Sequence, residues 1–254
     1  MRIVSWNVNG LRAIAGKGFA DWLRTREADV VLLQETKAKP EQVPPELQDF
    51  GGRVLRVHAA ERPGYSGVAI YARSEPDEWI VGVGGPAFAG EGRALFARFG
   101  DVVVGSAYFP NSQAKGVRID YRLGYGAAMR TFLDQQRALG RHVVLGGDYN
   151  VAHEEIDLAR PQQNVDNPGF LPAERAWMTD FLAGGYVDTW RRCHPGEVGY
   201  SWWSYRQGAR ARNVGWRLDY LCIDEALWPR VRGAEIQADV HGSDHCPVGL
   251  QLAD

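Results

Sequence analysis

Short runs of apolar, largely β-branched residues recur along the chain, and they constrain its fold more than any other feature of the sequence. Short runs of this composition, separated by polar or glycine-containing segments, are typical of buried strands. They occupy residues 2–6, 29–33, 67–71, 102–104, 142–145, 217–223 and 248–252. The sequence therefore predicts strands that are spread over the whole chain.

Helical patterns lie between some of these runs. Apolar residues recur at helical spacing in residues 19–23 and 119–139. A third helix is predicted to begin at Pro172, where proline suits the first helical position, and to end at Gly184. Because strands alternate with helices, the sequence predicts an α/β protein.

No feature of the sequence marks a domain boundary. There is no Ser/Gly linker, internal repeat or low-complexity tract, so we expect residues 1–254 to form a single domain. A composition of 45% hydrophobic and 24% charged residues argues against both disorder and a membrane protein. Without a membrane-spanning apolar stretch or a signal-peptide pattern, we expect a cytoplasmic protein with no membrane partner.

Polar side chains follow three of the predicted strands. Asn7, Glu35 and Asp148 each come just after an apolar run, at the carboxyl end where open α/β sheets place their ligands. Residues 146–147 are glycines, which we expect to let the backbone approach a ligand closely. In an extended segment Asp148 and Asn150 would project from the same face.

Two alternatives remain open for these residues. Residues 148–150 could form an Asx-type turn, and Glu35 could be a solvated helix cap. Taken together, however, carboxylate and amide oxygens are the ligands that suit a hard cation such as Mg²⁺. The sequence favours a magnesium site over a zinc site, which would use clustered histidine or cysteine.

His245 is the most informative of the six histidines, because Asp244 precedes it and a flexible Gly-Ser pair lies before that. Adjacent residues in an extended segment face opposite ways, so Asp244 is poorly placed to orient this imidazole. Asp219, an acid inside an apolar run, needs a partner if it is buried, and imidazole would provide one. The alternative is a strand whose Arg217 and Asp219 both face water.

Aromatic residues and arginines alternate in residues 200–216. Arginine neutralises phosphates, and aromatic faces stack on bases or line a sugar pocket, so the segment could be a nucleic-acid surface. It could equally be a tryptophan-rich rim of the core, with arginine stems lying along it. The net charge of −2 requires any DNA contact to be local.

Other features of the sequence add no catalytic candidates. The irregular stretch 152–171 is predicted to be a surface binding loop, and the His-Glu-Glu run that starts at His153 lacks the second histidine of a zinc motif. The three cysteines form no C-x-x-C pair and are interpreted as core residues.

Five sequence blocks, taken together, resemble the exonuclease III family of apurinic/apyrimidinic endonucleases. They occur in order from the first residues to the last, so the resemblance covers essentially the whole chain. The blocks are WNVNGLRA at 6–13, LQETK at 33–37, GDYNVAH at 147–153, WRLDY at 216–220 and SDHCPV at 243–248.

The resemblance implies a four-layer α/β sandwich, in which two packed, mixed β-sheets are flanked by helices. It also implies Mg²⁺-dependent hydrolysis of the DNA backbone 5′ to abasic sites, with Mn²⁺ as a substitute metal. The second implied activity is 3′-phosphodiesterase and 3′–5′ exonuclease activity on blocked or recessed 3′ ends. The implied partner is damaged double-stranded DNA, and we expect a monomer.

The resemblance assigns roles to individual residues. Asp148 corresponds to the acid that orients or deprotonates the attacking water, and His245, held by Asp219, to the histidine that contacts the scissile phosphate. Tyr108 corresponds to the tyrosine near the leaving group. The implied metal positions are Asn7, Glu35 and Asp244, with Asp148 and Asn150 nearby.

The implied substrate contacts form a larger set. Asn111 and Asn150 match amides that bind the phosphate, and Trp202, Trp216 and Leu218 match the pocket for the base-free sugar. Residues that fall where family members touch the DNA are Arg12, Tyr65, Asn164, Asn167 and Arg206.

Two positions depart from animal members of the family. Asn9 stands where they carry aspartate, and Lys115 lies in a loop where they use an arginine to enter the DNA groove. These departures leave open how the duplex is gripped and how abasic-site cleavage balances against exonuclease activity. Two other hypotheses are an inositol-phosphate phosphatase on the same scaffold and a non-catalytic binder of damaged DNA.

Overall fold

The computed structural model describes residues 1–25 and 27–253. Its strands are β1 (Arg2–Asn7), β2 (Val30–Gln34), β3 (Val54–His58), β4 (Val68–Ala72), β5 (Glu78–Val81), β6 (Ala94–Phe99), β7 (Val102–Tyr108), β8 (His142–Asp148), β9 (Tyr186–Asp188), β10 (Asp219–Asp224), β11 (Val231–Ile236) and β12 (Val248–Leu252). Its α-helices are α1 (Leu11–Ala15), α2 (Phe19–Thr25), α3 (Pro45–Gln48), α4 (Pro86–Ala89), α5 (Ile119–Ala138), α6 (Pro172–Ala183) and α7 (Thr189–Cys193).

The strands form two mixed sheets. Within the described residues, one sheet has the order β11-β12-β1-β2-β4-β3 and the other has the order β5-β6-β7-β8-β10-β9. Each sheet contains one parallel pair, β1 with β2 and β7 with β8, and its remaining neighbours are antiparallel. No helix in the described ranges is apolar enough over a sufficient length to cross a membrane.

The two sheets pack face to face, with helices on both outer faces. In β1, Ile3 belongs to the apolar cluster between the sheets, whereas Val4 and Trp6 pack against α1 and α2. On the far side, α5 and α6 cover the second sheet with an aromatic-rich cluster. Because successive strand residues face opposite ways, each central strand must be apolar on both faces. The predicted four-layer α/β sandwich is confirmed.

The same alternation determines which side chains face the seam between the sheets. Tyr108, Asp148 and Asp219 are direct neighbours across β7, β8 and β10, and each lies at the end of its strand. Asn7 ends β1 in the opposite sheet. Polar residues are therefore brought together at one end of the seam, where apolar packing gives way to an opening.

A small polar layer lies beneath this end of the seam. The Gln34 amide donates to the Ser5 hydroxyl (3.1 Å) and to the Ser106 hydroxyl (3.0 Å), and Ser106 donates to the carbonyl of Leu33 (2.9 Å). These side chains are buried, so each hydrogen bond avoids the cost of an unpaired polar group. The layer joins the two sheets directly below the strand ends.

The predicted strands are present, with ends shifted by a few residues, and so are the three predicted helices. The expectation for the two glycines before Asp148 is wrong. A Cβ on Gly147 would lie 1.8 Å from the carbonyl oxygen of Ala107, and one on Gly146 would lie 2.5 Å from Leu32. Close packing against β7 and the opposite sheet, not access for a ligand, excludes side chains at these positions.

Gly147→Ala should therefore destabilise the protein, because the added methyl group overlaps backbone of β7. The expected loss in free energy of unfolding is about 2 kcal/mol or more. Gly233→Ala is the matched control, since Gly233 also lies in a strand and a Cβ there would have no atom within 4 Å. Urea denaturation of both variants measures the difference, and equal stabilities would contradict this explanation.

Candidate active site

Two carboxylates, one from each side of the seam, meet at its open end. The Nδ2 amide of Asn7 donates to Glu35 Oε1 (3.0 Å) and to Asp148 Oδ2 (2.9 Å). Glu35 follows β2 in a left-handed backbone conformation, with φ of 51°, whereas Asp148 ends β8. Asn7 thus bridges the two acids through its amide nitrogen.

The environments of the two acids differ. Burial raises the pKa of Glu35, but the Lys37 ammonium at 2.7 Å and the Asn7 amide outweigh it and hold that pKa below its ordinary value. Burial raises the pKa of Asp148, and the charges of Asp219 and Glu35 raise it further, against the effect of His245. Neighbouring acids with unequal pKa values are typical of catalytic sites.

His245 is held by a buried carboxylate. Its Nδ1 lies 2.8 Å from Asp219 Oδ2, and because a carboxylate only accepts, Nδ1 carries the proton. The Ser201 hydroxyl also donates to this oxygen (2.7 Å) and accepts from the backbone amides of Leu218 and Asp219 (3.0 Å each). The predicted contact is present. The alternative, with Arg217 and Asp219 facing water, is wrong, because both are buried.

The other imidazole nitrogen of His245 faces Asp148. Nε2 lies 3.9 Å from Asp148 Oδ2, next to the open end of the seam. Burial lowers the pKa of His245, but the charge and hydrogen bond of Asp219, with the charge of Asp148, raise it well above its ordinary value. The arrangement favours a protonated imidazole, which can donate to an anionic group.

Asp148 and Asn150 do not lie in an extended segment. The backbone amide of Asn150 donates to Asp148 Oδ1 (2.8 Å), and Asn150 has a left-handed φ of 49°. The prediction of an extended segment is wrong, and the alternative of an Asx-type turn is present. The turn still aims both side chains at the opening, where Asn150 Oδ1 accepts from the Asn111 amide (3.0 Å).

Tyr108 lies beside the acidic pair, at the end of β7. Burial, together with the charges of Glu35 and Asp148, raises the pKa of its hydroxyl well above the ordinary value. The hydroxyl therefore remains a proton donor at neutral pH, and it forms a hydrogen bond with Glu35.

Asp244 reaches the same opening but has its own partners. Its Oδ1 accepts from the Asn9 amide (2.9 Å), and its Oδ2 accepts from the Trp202 indole N–H (3.1 Å). Burial raises the pKa of Asp244, but His245 and these donors lower it below its ordinary value. The carboxylate is ionised and fixed at the rim of the site.

A cavity of about 350 Å³ opens above these groups. One part of its wall is apolar, built from the indoles of Trp202 and Trp216, whose planes are nearly perpendicular, together with Leu218. A cavity in which polar groups converge beside an apolar wall is typical of a small-ligand site. Its lining residues are Glu35, Tyr108, Asn111, Asp148, Asn150, Asn167, Pro168, Gly169, Trp202, Trp216, Leu218, Asp244 and His245.

The aromatic and arginine segment, residues 200–216, divides between the two interpretations. Trp203 is buried in a core cluster, and the Arg210 guanidinium lies 4.6 Å from its ring centroid, as the core-rim alternative predicts. Tyr205 and Arg206, in contrast, are exposed. The segment therefore contributes both a cavity wall and an exposed turn.

The remaining predicted DNA-contact residues lie outside this lining, apart from Asn167. Arg12 is exposed on α1 and Tyr65 is half-buried. Asn167 donates to Asn164 Oδ1 (2.8 Å) within the long loop. These positions are on the surface of the described chain, and a small ligand in the cavity does not reach most of them.

Sequence reasoning missed two arginines that support the site. Arg93 is buried beside Tyr108. Arg217 is buried beneath the cavity wall, where Nε donates to Asp157 Oδ1 (2.8 Å) and Nη1 lies 2.7 Å from Asp188 Oδ2. The available signal was an arginine next to an apolar run, which is costly to bury without an acidic partner.

The donor set fits a divalent cation. Ligand atoms of Glu35, Asp148 and His245 all lie within 4.8 Å of one another. Carboxylate oxygens suit a hard cation, and two buried acids need positive charge nearby. The two carboxylates are the better ligands for a hard cation, since His245 is already held by Asp219, and Lys37 lies 2.7 Å from Glu35.

These features define a class of hydrolase with a divalent-metal site: an acidic cluster lies beside a histidine that is hydrogen-bonded to a carboxylate, at one end of two packed sheets. The chain belongs to the Endonuclease/Exonuclease/phosphatase family, whose sequence pattern matches residues 4–245.

Individual relatives agree with this assignment. The chain is 44% identical to an exodeoxyribonuclease of Bacillus subtilis, over 98% of each chain. It is 40% identical to the DNA repair nuclease APEX1 of Danio rerio, covering 100% of this chain and 82% of the relative. It superimposes on the structure of an AP endonuclease from Archaeoglobus fulgidus with a TM-score of 0.88 and 26% identity, over 99% of each chain.

The ion pair beneath the cavity wall should make stability depend on pH. Burial raises the pKa of Asp157, but Arg217 outweighs it and holds that pKa below its ordinary value. The stabilisation is therefore complete above the ordinary pKa of aspartate, about 3.9, and is lost as the pH falls through the lowered value.

Asp157→Asn should cost about 3 kcal/mol at neutral pH, because the variant leaves buried Arg217 with one acidic partner fewer. In urea denaturation at pH values from 7 to 3, the gap between wild type and variant should narrow below about pH 4. A gap that stays constant over this range would show that the charge of Asp157 contributes nothing.

Proposed function

We propose that this chain is a DNA-repair phosphodiesterase that hydrolyses the backbone 5′ to abasic sites and also acts as a 3′-phosphodiesterase and 3′–5′ exonuclease on blocked or recessed 3′ ends. One observation carries the proposal: the acidic pair Glu35 and Asp148 and the imidazole of His245 lie at the floor of a cavity with an apolar, indole-lined wall. Hydrolytic groups and a pocket for a base-free sugar are thereby adjacent. The names of the relatives support the same activity.

In this proposal Glu35 and Asp148 would hold Mg²⁺, or Mn²⁺ as a substitute, with Asn7, Asn150 and Asp244 adjacent. When bound, the cation supplies positive charge that stabilises the negative charge developing on the phosphate oxygens. A cation at this position would also favour the ionised form of Asp148.

Residues of the chain then divide the remaining work. Asp148 is placed to orient and deprotonate the attacking water, since its carboxylate faces the cavity. His245 donates from Nε2 to a phosphate oxygen, while Asp219 holds the proton on Nδ1. The water oxygen forms a new bond to phosphorus while the P–O3′ bond breaks, which leaves a 3′-hydroxyl on one strand end and a 5′-phosphate on the other.

Two amides and a tyrosine complete the proposed phosphate site. Asn111 and Asn150 line the cavity and are joined by a 3.0 Å hydrogen bond, and both are proposed to contact the phosphate oxygens. Tyr108 keeps its proton at neutral pH and is suited to stabilise or protonate the leaving oxygen. Donors fixed before substrate arrives need no reorganisation during the reaction.

The apolar wall gives the proposed selectivity. Trp202, Trp216 and Leu218 suit a deoxyribose without a base, which buries apolar ring atoms and leaves no polar base edge unpaired. The surrounding duplex would be gripped by Arg12, Tyr65, Asn164, Asn167 and Arg206, with Arg206 in the exposed turn. We further propose that residues 1–254 act as a single domain and as a monomer.

The direct test is a duplex with one tetrahydrofuran abasic analogue, run beside an undamaged duplex with a recessed 3′ end. We expect Mg²⁺-dependent nicking 5′ to the lesion, loss of activity with a chelator, and recovery when Mg²⁺ is restored. Asp148→Asn should lower kcat by about 10³-fold or more, because the acid that prepares the water is lost.

Asp101→Asn is the control for charge, because Asp101 is exposed on the turn between β6 and β7. It should cleave like the wild type. An abasic duplex that stays intact with folded wild-type protein and Mg²⁺ would refute the proposed function, and unchanged cleavage by Asp148→Asn would refute the assigned site.

A further inference from the structure

Arg93 is a buried cation that the proposed reaction does not use. It precedes β6 and is 3% exposed, and its guanidinium is fully engaged. Nε donates to Glu91 Oε2 (2.6 Å), Nη1 to the carbonyl of Tyr108 (3.1 Å) and Nη2 to the hydroxyl of Tyr65 (2.9 Å). A planar guanidinium with three separate acceptors has one orientation only.

Tyr108 is held by Arg93 on three sides. Its backbone amide donates to the carbonyl of Arg93 (2.9 Å), and its own carbonyl accepts from the guanidinium. The guanidinium carbon also lies 4.7 Å from the centroid of the Tyr108 ring, a favourable cation–π distance. The carbonyl of Arg93 is in turn fixed by the Tyr125 hydroxyl (3.0 Å). The tyrosine at the end of β7 is therefore clamped at both backbone and ring.

The Tyr65 hydroxyl also accepts a hydrogen bond from a second arginine. Arg118 Nη1 donates to it (3.0 Å), while Arg118 Nη2 donates to Glu91 Oε1 (2.8 Å). With two cationic donors on its oxygen, this hydroxyl keeps its own proton to donate. A phosphate oxygen is the acceptor that such a polarised donor suits.

We propose that Arg93 is a positioning residue that fixes Tyr108 for hydrolysis and links it to the hydroxyl of Tyr65, a proposed duplex contact. The proposal rests on the proposed function. Arg118 shares Glu91 and Tyr65 with Arg93, but its guanidinium lies over the ring of Tyr121, whereas that of Arg93 lies over the ring of Tyr108. Arg93 should affect turnover through Tyr108, whereas Arg118 should affect substrate binding alone.

A double-mutant cycle on the abasic duplex tests this difference. Arg93→Met should lower kcat by about tenfold, the effect of losing a hydrogen bond to a charged group, and should also raise KM. In a Tyr108→Phe background the same substitution should change kcat by less than about twofold, because the hydroxyl that it positions is already absent. Arg118→Met should raise KM and leave kcat within about twofold of wild type.

Arg93→Lys provides a rescue and a safeguard if Arg93→Met does not fold. Lysine retains the charge and should recover part of kcat, with the same loss of effect in the Tyr108→Phe background. A kcat that falls equally in both backgrounds, or falls as much in Arg118→Met, would overturn the proposal. Thermal melts of every variant confirm that folded proteins are compared.

A readout without catalysis separates this inference from the proposed function. The protein is labelled with 3-fluorotyrosine, and the fluorine NMR signal of Tyr108 is assigned as the one that disappears in Tyr108→Phe. Arg93→Met should shift and broaden that signal, while Arg118→Met should leave it unchanged. An unchanged signal in Arg93→Met would overturn the clamp even if the wild type cleaves abasic DNA. A wild type that cleaves nothing would refute the function alone.

Discussion

The site depends on two carboxylates held side by side. Glu35 and Asp148 come from opposite sheets, and one amide group, that of Asn7, donates to both. Burying two like charges is unfavourable unless positive charge is close. Lys37 and His245 provide part of it, and the remaining need for charge is what makes the site suitable for a divalent cation. The surrounding structure also holds the two carboxylates in position.

The two carboxylates are held in place because the two ends of the chain converge beside them. The indole of Trp6 in β1 donates to the carbonyl of His245 (3.0 Å), and the hydroxyl of Ser243 donates to the carbonyl of Asn7 (2.8 Å). The first strand and the segment before the last strand are therefore tied together next to the acids. Beneath them, Gln34 and two serine hydroxyls connect the sheets, so the acidic groups lie on a rigid base.

The sequence allowed the central strands and the main catalytic candidates to be predicted, because apolar runs interrupted by single acids or amides are distinctive. Four of the strands that it did not reveal, β3, β5, β9 and β11, are the edges of the two sheets. Three of these are only partly buried and lack a continuous apolar run. A short strand with water on one side leaves a weak pattern.

Other features depend on tertiary contacts that no local pattern records. The glycines before Asp148 are explained only by the distance to Ala107 and Leu32, and Arg93 only by its contact with Tyr108. The turn at Asn150 was visible as an alternative, but sequence alone could not decide between turn and strand. The pairing of His245 with Asp219 was predictable, because a buried acid in an apolar run requires a partner.

The central claim is that the acidic pair holds the metal. Titration of Mn²⁺ into the protein, followed by electron paramagnetic resonance and competed with Mg²⁺, measures it most directly. Glu35→Gln and Asp148→Asn should each weaken Mn²⁺ affinity by about tenfold or more, because each removes one anionic ligand from the pair. Both variants binding Mn²⁺ as tightly as the wild type would contradict the account.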